Sequence, residues 1–424
     1  MAAGSGREKT YMCFDLKSFF ASVECVERGL DPFTTNLVVA DPSRGDRTIC
    51  LAATPAIKAL GAKSRGRVYE IPKGVECIMA PPRMQLYIDY SARIYGIYLR
   101  YAAKEDIHIY SIDEIFMDAT AYMGARGMTP LEFARAVMRD VYAETGITAT
   151  CGIGTNLYLA KIALDVISKR SPEFIGVLDE ESYRRQLWDH LPLTDFWRIN
   201  VGTVNRLLHI GVRTMGELAH TDEALLYKTF GVDAQLLIDH AWGRESATIA
   251  DIKAYAPRSS SLSTGQVLHE GHDRAGAKLL IMEMAELLSL DLVKAGCAAG
   301  SVELILGYSF KAGVKAAHGS IPLERPTSST KKLLEYTAAL YDRLAVRDEP
   351  VYRLTVCFAR LVDEQELQYD MFSTPQAQEK EKRLQNAVID IKKKYGKNGI
   401  FKGMNLLEGA TTLERNRQIG GHRA

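Results

Sequence analysis

The chain has 424 residues, 47% hydrophobic and 25% charged, ordinary values for folded domains; at ~100–200 residues per domain that is roughly two to four of them. Composition excludes collagen-like, disordered and disulfide-scaffold classes, and no apolar run reaches the ~18 residues that cross a membrane. The net charge of +1 hides an asymmetry, because residues 373–424 carry 11 Lys and Arg against 5 Asp and Glu. That basic tail suits a polyanion partner, or simply a solvated helix face. The seven cysteines are scattered without a C-x-x-C pair, which argues for reduced, buried thiols rather than a disulfide framework or a zinc knuckle. The opening MAAGSGREKT has no apolar signal core, so a cytoplasmic protein is expected.

Taken in order, TYMCFDLKSFFASVEC (10–25) reads as a strand handing over to a helix at Asp15. NLVVA (36–40) and TICLA (48–52) are short strands around the turn DPSRGD. A helix is expected over 54–62, ending at Gly61, then a basic loop at 63–74 and a helical pattern over 84–104. IHIYSIDEIFMDAT (107–120) has β-branched and aromatic residues on both sides of a polar centre, the pattern of a hairpin. Helix 129–145, strand 147–155 and helix 156–170 complete an α/β or α+β region of about 175 residues. Residues 180–245 are nearly all helical, and Gly202 and Gly211 suggest two short helices joined by a tight turn. Amides at such a turn can hold a phosphate without reading sequence; an ordinary helical hairpin fits as well. KAYAPRSSSLSTG (253–265) reads as an extended linker. A β-α-β-β-α-β series follows, a second small α+β domain.

Three carboxylates stand out. Asp15 ends the first strand, and Asp113 and Glu114 sit at the centre of the hairpin. Neighbouring strand residues point to opposite faces, so this pair serves one site only where it flanks a turn or a strand end. Hard oxygens so placed suit Mg²⁺; capping or ion pairing would explain each acid singly. Lys58 and Lys161 lie on expected helices and can meet a triphosphate as point charges. No G-x-x-x-x-G-K-[ST] motif occurs, which excludes a P-loop NTPase.

FDLKSFFASVE, YSIDEIFMD, GIGTNLYLAKIALD and the twin-glycine segment near 200–218 together resemble the Y-family, translesion DNA polymerases, in their bacterial UmuC-like and DinB-like branch of Gram-positive type. The resemblance spans residues 10 to 365. It implies an α+β multidomain right hand: palm 10–25 and 85–175, small fingers 26–84, helix-hairpin-helix thumb 176–245, linker 246–254, little finger 255–365 and tail 366–424. It implies two Mg²⁺, with Mn²⁺ as the alternative ion, on Asp15, Asp113 and Glu114, with the Leu16 carbonyl as an extra ligand. Glu114 would be the foremost catalytic group.

By the same resemblance Phe20 would be the steric gate against a 2′-hydroxyl, with Phe19 packed beside it and the amides of 17–20 near phosphates. Lys58 and Lys161 would grip the triphosphate and Thr54 would offer a hydroxyl, while Gly202, Gly211 and Arg258 would contact DNA. The fingers position that is Tyr in many members is Pro55 here, and the Arg position is Lys58, which lacks the guanidinium fork. QYDMF resembles a sliding-clamp peptide with Gln368, Met371 and Phe372 as anchors. The expected partners are primer-template DNA, dNTP and the clamp, with a recombinase filament or accessory subunit as further candidates and no membrane. The expected activity is low-fidelity, template-directed synthesis past damage. The alternatives are another palm-type nucleotidyl transferase, or a non-catalytic DNA- and clamp-binding factor.

Overall fold

The computed structural model describes residues 9–256, 260–309, 313–346, 349–364 and 375–423. The chain divides into two units that meet at residues 256 and 257. Arg258, Gln368, Met371 and Phe372 lie outside the described residues.

In chain order the first unit runs β1 (Tyr11–Leu16), α1 (Phe19–Val26), β2 (Leu37–Val39), β3 (Ala52–Ala53), α2 (Pro55–Ala59), β4 (Ile78–Ala80), α3 (Met84–Tyr98), β5 (Ile107–Ile109), β6 (Glu114–Asp118), α4 (Thr120–Arg126), α5 (Pro130–Thr145), β7 (Ala149–Gly154), α6 (Leu157–Ile162) and β8 (Ile175–Leu178). Helices α7 (Glu180–Leu187), α8 (Val201–His209), α9 (Met215–Ala219), α10 (Glu223–Phe230), α11 (Ala234–Ala241) and α12 (Ile249–Ala254) complete it. Its main sheet has the order β5-β6-β1-β7-β8. β1 is central and alternates: Met12, Phe14 and Leu16 join the core with α3 and α5, while Tyr11 and Cys13 pack against Leu157, Ala160 and Leu164. A strand buried on both faces needs a nearly unbroken apolar run, which YMCFDL supplies up to its one acid.

α6 lies directly on β7. A Cβ at Gly152 would meet the Ala160 carbonyl at 2.1 Å, and one at Gly154 the Ala160 nitrogen at 2.2 Å, so only glycine permits this approach. Past Ile162 the helix widens into a π-helical turn, Ala163–Ile167, then tightens over Ser168–Arg170. The expected single helix 156–170 is therefore three segments.

The expected strand 48–52 contributes only β3 to a ladder; Ile49 makes an isolated bridge to Arg67. The expected linker 246–254 is a correction. Thr248 and Asp251 form a capping box that starts α12, and Ile249 is buried among Tyr11, Phe116 and Leu157. A proline-free segment whose Ile249 and Ile252 both meet that cluster thus folds as a helix of the first unit. The extended reading of 253–265 fails at its start, since α12 runs to Ala254, whereas β9 begins at Ser261 as the strand expected over SLSTGQVL.

The second unit contains β9 (Ser261–His272), α13 (Arg274–Lys294), β10 (Cys297–Tyr308), β11 (Ala317–Thr327), α14 (Thr330–Leu344), β12 (Val351–Ala359) and β13 (Val362–Asp363). Its sheet order is β11-β10-β12-β9, all antiparallel, with β13 on β10. This is the expected β-α-β-β-α-β arrangement, with Leu280, Met284, Leu333 and Leu340 packed on Leu304, Leu354 and Phe358. The basic tail continues the same unit as α15 (Pro375–Tyr395), α16 (Thr412–Arg415) and the small hairpin β14 (Gln418–Ile419) and β15 (His422–Arg423).

Candidate active site

Register brings the acids together. Asp15 pairs with Glu114 across β1 and β6, and residues directly opposite in an antiparallel pair share a face. Asp113 sits in the turn just before β6, where its carbonyl accepts from the Leu16 amide at 2.9 Å. The turn is built by its own residues. The amides of Tyr110 and Ser111 donate to the Glu114 carbonyl at 2.9 and 3.0 Å, the Ser111 hydroxyl donates to Asp113 Oδ1 at 2.6 Å, and Ser91 donates to the Ile112 carbonyl at 2.5 Å. The S-I-D-E break thus lets two consecutive acids escape strict alternation.

Lys161 reaches the same face from α6. Its Nζ lies 2.8 Å from Glu114 Oε1 and 3.0 Å from Asp165 Oδ2. Cys13 donates to Glu114 Oε1 at 3.1 Å. Burial opposes the Lys161 charge, but Asp165, Cys13 and Glu114 outweigh it and raise its pKa. Burial also raises Glu114, against the pull of Lys161. Asp15 is left otherwise: among the described residues no donor bonds its carboxylate, and burial followed by repulsion from Asp113 and Glu114 pushes its pKa to about 7.

A second cationic edge lines the turn after β1. Lys58 donates to the Ser18 hydroxyl at 2.8 Å, and Ser18 holds a left-handed φ of 51° at the start of α1. Burial lowers the pKa of both Lys17 and Lys58, and mutual repulsion with Lys169 adds to it. Lys17 and Lys169 were missed by motif reading, because they meet Lys58 only through the fold. The Lys17 amide, expected near phosphates, is instead bonded to the Thr148 carbonyl at 2.9 Å.

Phe19 is buried, whereas Phe20 is half-buried and stacks on Tyr87 with centroids 4.4 Å apart. Tyr87 is fixed in turn by donating to Glu24 Oε1 at 2.7 Å, and Arg83 donates to the same carboxylate at 2.9 and 2.8 Å. Glu24, Arg83 and Tyr87 were also missed. Their only signal is the acid that closes FFASVE.

Thr54 is a correction. Its hydroxyl is fully buried, donates to the Thr35 carbonyl at 2.7 Å and accepts from the Leu37 amide at 3.1 Å, so it has nothing free for a phosphate. Pro55 opens α2 at its first position, where proline is favoured for local reasons. Gly202 and Gly211 lie at opposite ends of α8. Gly211 adopts φ +83° in the turn to α9, and Gly202 sits in the first turn of α8 after the Asn200 cap.

The impB/mucB/samB family model matches residues 14–165, and that family's C-terminal domain matches residues 259–371. DNA polymerase IV 2 of Bacillus subtilis (strain 168) is 30% identical over 431 residues, covering 98% of this chain and 99% of that protein. The chain belongs to the Y-family DNA polymerases. UvrX of the same organism is 30% identical over 419 residues, covering 98% of each chain. The solved Y-family DNA polymerase chimera Dbh-Dpo4(243-245)-Dbh shares the fold with a TM-score of 0.64 and 20% identity, over 83% of this chain and 99% of its own.

Y-family polymerases depend on divalent metal, and the donors here can be tested against that need. Among the described residues no three acidic, His or Cys side chains close into a ready cage, because Glu114 is turned onto Lys161. What fits a cation is the charge balance. Asp15 is half-buried, unbonded and repelled by two acids, and all the donors are hard oxygens, which suit Mg²⁺ or Mn²⁺ over softer ions. No described helix is long and apolar enough to cross a membrane.

Proposed function

We infer that the chain performs template-directed DNA synthesis of low fidelity past damaged bases, transferring dNTPs to a primer 3′-hydroxyl. The observation that carries the reading is the shared face of Asp15 and Glu114, with Asp113 in the adjoining turn and Lys161 against Glu114. Asp15, Asp113, Glu114 and the Leu16 carbonyl would hold the metal, two ions in this reading. When bound, the metal supplies a lowered hydroxyl pKa and charge neutralisation on the reacting phosphoryl group. Lys161 and Lys58, joined by Lys17 and Lys169, hold the triphosphate as point charges. Phe20, fixed from behind by Tyr87, would lie under the sugar and exclude a 2′-hydroxyl. The first-turn amides of α1 stand beside Ser18, open to a phosphate oxygen.

Primer-template DNA is gripped in this reading through phosphate contacts, including the Gly211 turn and the first turn of α8, so binding should weaken steeply with salt. The clamp, through Gln368, Met371 and Phe372, belongs to the same proposal and rests on the peptide sequence alone, as does a recombinase or accessory partner on the family resemblance. Neither alternative reading gains an observation, since the feature behind the accessory-factor reading, Pro55, has a local helix-start explanation.

Primer extension on damaged and undamaged templates, with Mg²⁺, all four dNTPs and an Asp113→Ala control, tests this. Extension past the lesion by the natural chain alone is expected. Extension that stops at the lesion would remove the bypass role for that adduct, and equal extension by the variant would remove the metal-site assignment.

A further inference from the structure

The tail builds a cleft of about 660 Å³ between α13 and α15, within the ~300–1,000 Å³ that holds small ligands. Its walls are fixed. α15 ends where Gly396 takes a left-handed φ of +87°, and Lys392 ties the returning segment by donating to the Lys397 and Ile400 carbonyls at 2.9 and 2.8 Å. Asn416 donates to Asn398 Oδ1 at 2.7 Å, which holds that segment to α16. Beneath α16 the fully buried Glu283 accepts from Asn405 Nδ2 and the Thr411 amide, each at 2.8 Å.

Five cations line the cleft against two acids. Arg415 lines it, and its Nη1 atom is buried with no hydrogen-bond partner among the described residues. Glu283, the nearby buried acid, offsets part of the Arg415 charge while accepting from neutral tail donors. Lys393 and Lys397 are exposed at the mouth, and among the described residues neither pairs with a carboxylate. Of the two acids in the lining, Asp291 is tied to Lys294 at 2.8 Å, leaving Asp390. Met284, Leu287, Leu288, Leu290 and Ile389 form an apolar wall, and Thr264, Lys392 and Asn416 also line the cleft. An anion in the cleft would face the surplus of cations that Arg415, Lys393 and Lys397 supply.

We propose that this cleft binds a nucleoside phosphate, with the phosphate on Arg415 and Lys397 and the base on the apolar wall. The phosphate belongs either to a free nucleotide or to a single strand of nucleic acid. The site shares no residue with the carboxylate face of the first unit, so it stands or falls separately from the polymerase reading.

The test is calorimetric binding of inorganic phosphate, dAMP and a short oligo(dT) to the full chain in EDTA, beside Arg415→Gln and Lys397→Glu. Binding of dAMP is expected to weaken at least about tenfold in R415Q, the scale of one charge-assisted bond. It should weaken several-fold in K397E. If only oligo(dT) shows those losses, the phosphate is that of a nucleic acid and the site stands. Absence of binding by all three probes, or wild-type affinity in R415Q, overturns it. A loss in R415Q with none in K397E overturns it too, because the tail's fold would then be the cause.

Discussion

Asp15 and Glu24 stand on either side of the turn that joins β1 to α1, and the fold treats the two acids in opposite ways. Glu24 is fully buried, yet it receives Arg83, Tyr87 and Arg28, and these bonds overcome burial to hold its carboxyl below the usual carboxylate range. Asp15 is less buried but has no donor among the described residues, and burial with two neighbouring acids pushes it to about 7. A satisfied buried charge is scaffold: it locks α1, and through Tyr87 it locks Phe20. An unsatisfied one has been kept at a cost to the folded chain, which points to a ligand supplied from outside.

The sharpest way to break this contrast is to neutralise each acid in turn. Asp15→Asn is expected to cut primer extension by about a thousand-fold or more, the scale on which single electrostatic stabilisers act, without lowering the melting temperature. A fall in melting temperature would make Asp15 a structural acid. Glu24→Gln should do the reverse. It leaves Arg83 and Arg28 around a neutral group and should cost about 3–5 kcal/mol of stability, the range for a broken buried pair. Since the folded pKa of Glu24 is lowered, its contribution is present above the unfolded value of ~4.3 and is lost as pH falls through the folded one. Denaturation of the two chains should therefore differ fully at pH 7 and converge as pH falls through the lowered folded pKa of Glu24. A gap independent of pH would deny the charge its part.

Much of this contrast was legible in the residues, and its limits are physical. The first strand, the hairpin, the α6 lysine and the β-α-β-β-α-β order follow from local periodicity and turn chemistry. The three acids were legible because β1 and the S-I-D-E turn each carry their own signal. Glu24 was not, because its partners lie far along the chain in PPRMQLY, a segment that reads as an ordinary helix start. The Lys17, Lys58 and Lys169 edge escaped for the same reason: three lysines on three segments share no spacing. Thr54 and the α12 segment misled because a hydroxyl's partner and the packing of two isoleucines are tertiary facts. The tail carried charge but no periodic cue to the cleft it forms.

A smaller effect sharpens the contrast from the scaffold side. Phe20→Ala should leave the carboxylate face intact but relax sugar selection. Ribonucleotide incorporation relative to deoxynucleotide is expected to rise on the order of a hundredfold, the discrimination a steric pocket supplies, and single-nucleotide kinetics read it directly. Tyr87→Leu removes the stack but not the gate, so a rise smaller than that of Phe20→Ala is expected. Equal rises would mean that the ring's position, rather than its presence, sets selection.

Thr54 gives the finest division between scaffold and site. Its hydroxyl joins the Thr35 carbonyl to the Leu37 amide where α2 leaves β3. Thr54→Val keeps the shape and strands both partners in a buried place, which should cost about 1–3 kcal/mol. The dNTP KM should stay unchanged, because the one proton a phosphate could accept is committed to the Thr35 carbonyl. Lys58→Met, one turn further along α2 and bonded to Ser18, should raise that KM several-fold at nearly constant stability, since the half-buried ammonium lacks a carboxylate partner there. Stability curves and single-nucleotide kinetics on this pair separate a residue that shapes the fingers from one that faces the triphosphate. A raised KM in Thr54→Val would return the hydroxyl to the nucleotide and show that α2 rearranges when substrate arrives.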